Sequence, residues 1–243
     1  RGWAPQRAAR TVAEVLRGAI AAVDDAATPP RGSSRTDSGV HAEAQPVAFE
    51  SRRLLEPRSW VLALNQHLPD DVAVRAARAV PPGFEPRFSA AWKRYRYRVL
   101  ADPVRDPLLR TRAWRIGGAL ALDAMAEEAR DLVGTHDFAA FRSAGDERTV
   151  TVRTLTRATV EASPDGREVA LVVEGSAFLY NMVRILAGTL VEVGLGRRSP
   201  GAVRRALQSL ERGDAGMTAP AHGLTLEHVE LHLPEGCGEP WPR

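Results

Sequence analysis

The sequence predicts an α+β fold made of two halves, and three observations carry this prediction. Residues 92–100, "WKRYRYRVL", alternate between two faces as in a long β-strand. Residues 156–177 form alternating runs on either side of a Pro-Asp-Gly turn, which predicts a β-hairpin. Helices and strands do not alternate regularly along the chain, which argues against a doubly wound parallel sheet.

The first half begins with a helix near residues 11–23, because Thr11 and Glu14 form a capping box. A short strand at 45–50, a helix at 57–69 and a strand-like segment at 71–80 follow. The apolar face of the first helix is expected to hold Val12, Val15, Leu16, Ala19 and Val23.

The strand at 92–100 sorts its side chains by chemistry. Lys93, Tyr95, Tyr97 and Val99 are predicted to point one way and the intervening arginines the other. This pattern is typical of an ordinary strand with arginines in water. The pattern is also found, less often, in an aromatic platform beside a cationic surface, as single-stranded nucleic acid binders use.

The second half starts after a proline-rich junction at 101–109. It is predicted to contain a helix at 122–133, the hairpin, helices at 178–194 and from Pro200 to about Leu210, and a last strand at 223–231. The helix at 178–194 should bury a narrow stripe of Leu179, Met182, Val183, Leu186, Leu190 and Val193.

Arg184 lies nearly opposite that stripe, on the side of Asn181 and Gly188. Small residues there predict that another segment approaches closely. Arg184 itself is either a solvent-facing cation or a functional one, and the pattern leaves both open.

Composition limits the possible functions. The 243 residues are 44% hydrophobic, enough for a sizeable core, and the net charge is +3. Lys93 is the only lysine, so the basic residues are almost all arginine. This preference reflects either coding bias or the recognition of phosphate groups. The single cysteine, Cys237, fits a reducing compartment. The sequence has no apolar run long enough to predict a membrane span, and we expect no signal peptide. The chain starts at Arg1 instead of Met, so we expect that an upstream part was removed or is not shown.

Sequence motifs for metals and nucleotide cofactors are absent. His228 and His232 are four residues apart in a predicted strand, which separates them by about 13 Å. The chain has no zinc-finger spacing, no phosphate-binding glycine loop and no zinc-deaminase motif. We therefore expect chemistry without a metal or cofactor.

The loop "SSRTDSGVHA", residues 33–42, is the main candidate for that chemistry. Asp37 is surrounded by turn residues that would project its carboxylate, and Gly39 would let a substrate come close. Arg35 and Asp37 either neutralise each other on the surface or belong to an active site.

Several motifs together resemble the TruA family of tRNA pseudouridine synthases. "RTDSGVHA" is similar to the family's G-R-T-D-A-G-V-H-A loop, with Ser34 and Ser38 in place of Gly and Ala. The other similar segments follow in the family's order: "RGWAPQRAARTV" (1–12), "FSAAWKRYRYRV" (88–99), "GTHDFAAFRS" (134–143), "AFLYNMVRILAGTLVEVG" (177–194) and "TAPAHGLTLEHVEL" (218–231).

The resemblance implies two RRM-like, ferredoxin-like halves, residues 1–103 and 104–243, whose antiparallel sheets join around a central basic cleft. It implies a cytoplasmic homodimer that isomerises uridine to pseudouridine at tRNA positions 38–40, without metal or cofactor. Asp37 would be catalytic, through attack at C6 or at C1′, and Arg184 would pair with it. Tyr95 would stack on the target base and Arg35 would touch the RNA. His41 and Gln45 would hold the loop, and Arg87, Lys93, Arg94 and Arg142 could contact phosphates.

Rival functions remain at this stage. A non-catalytic RNA-binding protein could use the same scaffold, and an RNA chaperone would not need one loop carboxylate. A methyltransferase would need a pocket for the methyl donor, and the sequence has no glycine-rich motif that would indicate one.

Overall fold

The structure, a computed structural model, describes residues 2–6, 9–146 and 148–242. Arg1, Arg7 and Ala8, which belong to the motif leading into the first helix, lie outside these ranges. The helices are α1 Val12–Val23, α2 Pro57–His67, α3 Leu122–Arg130, α4 Met182–Gly194 and α5 Ala202–Ser209. The strands are β1 Arg31–Gly32, β2 His41–Ala42, β3 Val47–Ala48, β4 Ala90–Ala101, β5 Trp114–Ile116, β6 Gly134–Asp137, β7 Val152–Ala162, β8 Glu168–Gly175 and β9 Leu224–Leu231.

Contacts between residues divide the chain into two units. The first holds the described residues of Arg1–Ser38, Gln45–Ala91 and Val229–Arg243. The second holds Gly39–Ala44 and Trp92–His228. The candidate loop therefore changes unit between Ser38 and Gly39.

The first unit packs α1 against α2 around a small apolar core. The α1 helix begins as predicted, because the Glu14 N–H donates to Thr11 Oγ1 at 3.4 Å and the Thr11 hydroxyl donates to the Glu14 carboxylate at 2.9 Å. The predicted apolar face was partly wrong, since the buried residues of α1 are Ala13, Leu16, Ala19 and Ile20.

The second unit is built on a seven-stranded mixed sheet in the order β2-β9-β4-β8-β7-β6, with β5 beside β4. The pairs β2–β9 and β4–β5 are parallel, so the expectation of purely antiparallel sheets was wrong. The α+β class and the hairpin of β7 and β8 are confirmed.

Strand β4 confirms the predicted sorting of side chains. Tyr95, Tyr97 and Val99 are buried. On the opposite face Arg94 pairs with Glu174 at 2.7 Å, and Arg96 pairs with Glu227 at 2.7 Å and with Glu161 at 2.8 Å. The charges of these two arginines are therefore partly neutralised by glutamates on neighbouring strands, and the side chains are not simply solvent-exposed.

Helix α4 departs from its predicted form. It starts at Met182 because Asn181 takes a left-handed conformation, with φ 58° and ψ 6°, which a helix cannot include. Almost the whole helix is buried, so the predicted narrow stripe was wrong. The close approach predicted at Gly188 is present: a Cβ there would lie 1.9 Å from the carbonyl oxygen of Met217.

The prediction of a strand at 71–80 was also wrong, because in this segment Ala77 forms only an isolated bridge, to Trp241. The short strands β1, β2, β5 and β6 were not predicted. Two to four residues are too few to show a recognisable alternation. None of the helices in the described ranges combines the length and apolar character that a membrane crossing requires.

Candidate active site

The half-buried Asp37 lies near the end of a loop that the first unit holds from several sides. Pairing of β1 with β3 fixes the start of the loop. The Ser33 N–H extends this pairing by one hydrogen bond, which it donates to the Pro46 carbonyl at 3.0 Å. The Gln45 side chain donates to the carbonyl of Ser34. Gln45 therefore contacts the loop backbone three residues before Asp37.

Gly2 and Trp3 support the same loop, which the sequence analysis did not anticipate. The Trp3 N–H donates to the Thr36 carbonyl at 3.1 Å. Gly2 has a φ of +64°, and a Cβ on it would lie 2.8 Å from the Thr36 oxygen and 3.0 Å from the Asp37 carbonyl carbon. Only glycine fits this close backbone contact.

The carbonyls of Gly2 and Trp3 in turn accept the N–H groups of Val12 and Ala13, at 3.0 and 3.2 Å, in the first turn of α1. The helix and the Asp37 loop are therefore joined through two residues. The only signal in the sequence was the Gly-Trp pair itself, whose role depends on contacts more than 30 residues away.

The downstream part of the loop belongs to the second unit. Gly39 has a φ of +86°, and a Cβ on it would lie 3.3 Å from the Ala221 Cβ. His41 begins β2, which pairs with β9, and its Nε2 lies 2.7 Å from the Thr111 carbonyl oxygen. His41 thus anchors this part of the loop through both its backbone and its ring.

Arg184 lies in the second unit on the first turn of α4. Its Nε donates to the Ala219 carbonyl at 2.8 Å, and its Nη1 donates to Asn181 Oδ1 at 2.6 Å. The Ala219 N–H donates back to the Arg184 carbonyl at 3.1 Å. Both the backbone and the side chain of Arg184 are therefore tied to Ala219.

The segment Ala219–Gly223 connects several parts of this unit, and the sequence analysis did not assign it that role. The Tyr97 hydroxyl donates to the Pro220 carbonyl at 2.8 Å, and His222 Nε2 lies 3.1 Å from the Ala113 carbonyl. A Cβ on Gly223 would lie 2.7 Å from the Tyr97 ring, so glycine is required there. The segment thereby contacts strand β4, the Arg184 helix and Gly39.

The pKa of Tyr97 reflects this environment. Burial raises the pKa of its phenol, while the positive charge of Arg184 lowers it. Tyr97 is fully buried, so its hydroxyl serves as a structural donor to Pro220.

Tyr95, the predicted base-stacking residue, lies two positions before Tyr97 on β4. It is 8% exposed, and its ring meets Phe178 edge to face, with the centroids 5.0 Å apart and an interplanar angle of 79°. Phe178 thus fixes the orientation of the Tyr95 ring.

The remaining predicted RNA contacts differ in their surroundings. Arg35 and Arg87 are exposed, and Lys93 is half-buried. Arg94 pairs with Glu174 and lies over the Trp92 ring, 5.4 Å from its centroid. Arg142 Nη1 donates to the Arg148 carbonyl at 2.6 Å.

Asp37 lies in the first unit, whereas Tyr95 and Arg184 lie in the second, and the pairing of Asp37 with Arg184 stays a prediction. In the part of the chain that the structure describes, no group of three or more His, Cys, Asp or Glu residues could hold a metal ion.

Comparison with known proteins gives one consistent family. The sequence model of a family described as tRNA pseudouridine synthase matches residues 3–89 and 129–231. A tRNA pseudouridine synthase A of Citrifermentans bemidjiense is 44% identical over 237 residues, which cover 97% of this chain and 93% of that protein. Proteins of the same name from Geobacter sulfurreducens and Myxococcus xanthus are also 44% identical. They cover 95% and 94% of this chain, and the matches span 93% and 86% of those proteins. The chain belongs to the tRNA pseudouridine synthase family.

Proposed function

We propose that this protein isomerises uridine to pseudouridine in the anticodon stem-loop of tRNA, at positions 38–40. The observation that carries the proposal is the family match, whose two ranges include both Asp37 and Arg184. Relatives named tRNA pseudouridine synthase A match nearly the whole chain, so the likeness is not confined to an RNA-binding part. This favours the enzyme over a non-catalytic RNA-binding protein.

The reaction breaks the C1′–N1 bond of uridine and forms a C1′–C5 bond. The proton on C5 leaves to solvent and N1 gains a proton, so the product is an isomer of the substrate. A carboxylate suits this chemistry, either as nucleophile or as partner in proton transfer. Asp37 supplies it, from a loop held by Gln45 and Trp3.

Arg184 keeps the Asp37 carboxylate ionised. A partly dry pocket would otherwise raise the pKa of a carboxyl group, and a nearby guanidinium opposes that effect. Arg184 is suited to this task because Ala219 and Asn181 fix two of its nitrogen atoms.

Tyr95 stacks on the base that leaves the RNA helix, and Arg35 touches the RNA where the base leaves. Base stacking contributes about 1–3 kcal/mol and offsets part of the cost of unstacking. Arg87, Lys93, Arg94 and Arg142 are proposed phosphate contacts.

At larger scale we propose two RRM-like halves, residues 1–103 and 104–243, with sheets joined around a basic cleft. The active form is a homodimer that acts on tRNA in the cytoplasm. The α+β class and the antiparallel pairing of β4, β8, β7 and β6 support an RNA-binding scaffold of this kind.

A tritium-release assay on tRNA labelled at uridine C5 tests the function. The wild-type chain should release tritium, and Asp37→Ala should not. Asp25→Ala, which removes an exposed carboxylate just after α1, is the matched control and should behave as the wild type. Tight tRNA binding without tritium release by the wild type would instead support the non-catalytic alternative.

A further inference from the structure

Asn181 lies immediately before α4, one helical turn from Arg184. We propose that Asn181 is a positioning residue for catalysis, which holds the Arg184 guanidinium in one orientation and is itself held by Ser143. This inference rests on the proposed function, because it assumes that Arg184 acts in the reaction.

The guanidinium of Arg184 is fixed at two of its nitrogen atoms. Nη1 donates to Asn181 Oδ1 at 2.6 Å, and Nε donates to the Ala219 carbonyl at 2.8 Å. Because the group is planar and rigid, two fixed donors determine both its position and the plane in which it lies. Without Asn181, only the hydrogen bond from Nε to Ala219 would remain of these two constraints on the plane of the group.

The chemistry of the groups determines the orientation of the Asn181 amide. An arginine side chain only donates hydrogen bonds, so the amide oxygen must face Arg184. The Nδ2 group then faces the Ser143 hydroxyl, to which it donates at 2.9 Å. Both ends of the amide are satisfied in this orientation, and the reverse orientation would bring two donors together.

The backbone of Asn181 has a conformation that glycine adopts more readily than asparagine. Its φ of 58° lies in the left-handed region, which glycine adopts without strain and asparagine tolerates better than most residues. Asparagine brings to this conformation a carboxamide that glycine lacks. That carboxamide makes the two contacts just described.

The turn that carries Asn181 is fastened by the loop beginning at Ser143. The Ser143 N–H donates to the Tyr180 carbonyl at 3.2 Å, and the Tyr180 N–H donates to Asp146 Oδ2 at 2.9 Å. Arg148 Nη1 donates to the Phe178 carbonyl at 3.0 Å. The path from this loop through Asn181 to Arg184 therefore consists of consecutive hydrogen bonds.

This arrangement fixes a cation before the substrate arrives. Preorganised charge acts on a reacting group without reorganising during the reaction, and small misplacements reduce rates strongly. Loss of Asn181 should consequently slow the chemical step while leaving tRNA binding nearly unchanged.

The test compares three variants with the wild type: Asn181→Gly, Ser143→Ala and the double variant. For each, we would measure the rate of pseudouridine formation in a single turnover and the affinity for tRNA. Asn181→Gly keeps the left-handed backbone and removes only the carboxamide. We expect its rate constant to fall about tenfold to a hundredfold, with the Kd for tRNA within about twofold of wild type. Ser143→Ala should cause a smaller loss. It should add nothing in the Asn181→Gly background, because it acts through Asn181.

Leu210 provides a matched backbone control, since it is the other described non-glycine residue with positive φ, at 64°. Leu210→Gly should leave the rate unchanged. A wild-type rate for Asn181→Gly would overturn the proposal, as would Ser143→Ala losses that simply add to those of Asn181→Gly. An inactive wild-type chain would instead overturn the proposed function, and this inference with it.

Discussion

Arg184 is a half-buried cation, and its Nε and Nη1 donate to oxygen atoms of Ala219 and Asn181. Replacing it with leucine should lower the rate of pseudouridine formation roughly a hundredfold or more. The free energy of unfolding should fall by only about 1–2 kcal/mol, the usual cost of lost hydrogen bonds. Tritium release and urea unfolding of Arg184→Leu measure the two effects separately.

Arg212 offers a control for this prediction, because its guanidinium, like that of Arg184, donates to a backbone carbonyl: Nη1 donates to Gly216 at 2.8 Å. Arg212→Leu should lose similar stability and keep its activity. Equal losses of activity in both variants would mean that Arg184 serves the fold alone.

Tyr95 has two parts whose roles can be tested separately. Its ring, which Phe178 orients, is proposed to stack on the base, and its hydroxyl could take part in proton transfer. Tyr95→Phe should keep tRNA affinity because the ring remains, and a slower rate would assign the hydroxyl to proton transfer. Tyr95→Leu should weaken tRNA binding by about 1–3 kcal/mol, the cost of one lost stack. Equilibrium binding at one salt concentration compares them, and equal affinity of Tyr95→Leu and wild type would contradict stacking.

At the scale of elements, the Asp146 carboxylate accepts hydrogen bonds from Arg148 and from the turn before α4, at the N–H of Tyr180. Burial alone would raise the pKa of Asp146, but hydrogen bonds from the Arg148 side chain and from the N–H groups of Tyr180 and Arg148 lower it from 3.8 to about 2. The Asp146 side chain is 4% exposed, so solvent screens these bonds little.

A pKa depressed by folding stabilises the protein above the unfolded value, and the contribution is lost as the pH falls. For Asp146 the window runs from about pH 4 down to about pH 2, and the contribution is about 2 kcal/mol. Asp146→Asn should therefore be less stable than wild type at pH 6, with a difference that shrinks at pH 3. Urea unfolding at both pH values measures this, with Asp25→Asn as control. A difference independent of pH would contradict it.

Long elements could be predicted from the sequence, and short or unpaired ones could not. Strand β4 and helix α1 each carry a local pattern, alternation in one and a capping box in the other. Residues 71–80 alternate as well, yet among the described residues they form an isolated bridge, between Ala77 and Trp241, in place of a strand pair. Local alternation carries no information about partners. Helix α4 was predicted to start too early, because the left-handed turn at Asn181 depends on bonds from a distant loop.

The candidate site divides in the same way. Asp37, Tyr95 and Arg184 stand in motifs that a single sequence shows. Asn181 is hydrogen-bonded to Ser143, 38 positions away, and Ala219 is hydrogen-bonded to Arg184 across 35 positions. Such bonds connect residues that no local pattern links.

For the whole molecule, the proposed phosphate contacts of basic side chains should make tRNA binding weaken as the salt concentration rises. Arg87→Gln should weaken binding to all tRNAs alike and lower the slope of log K against log salt by about one, because Arg87 is exposed. Arg94→Gln should change the slope less, since Glu174 already neutralises Arg94. Titrations at several salt concentrations compare the two variants, and equal slopes for both and wild type would exclude these residues as phosphate contacts.

We propose that the isomerisation depends on one loop carboxylate, that of Asp37, which Arg184 keeps ionised while the rest of the fold binds and orients the tRNA. Mapping of pseudouridine at tRNA positions 38–40 after incubation with wild type or Asp37→Asn tests it most directly, because asparagine has nearly the same shape. The account predicts that Asp37→Asn binds tRNA with nearly wild-type affinity and forms no pseudouridine. Pseudouridine formed by Asp37→Asn at the wild-type rate would contradict it.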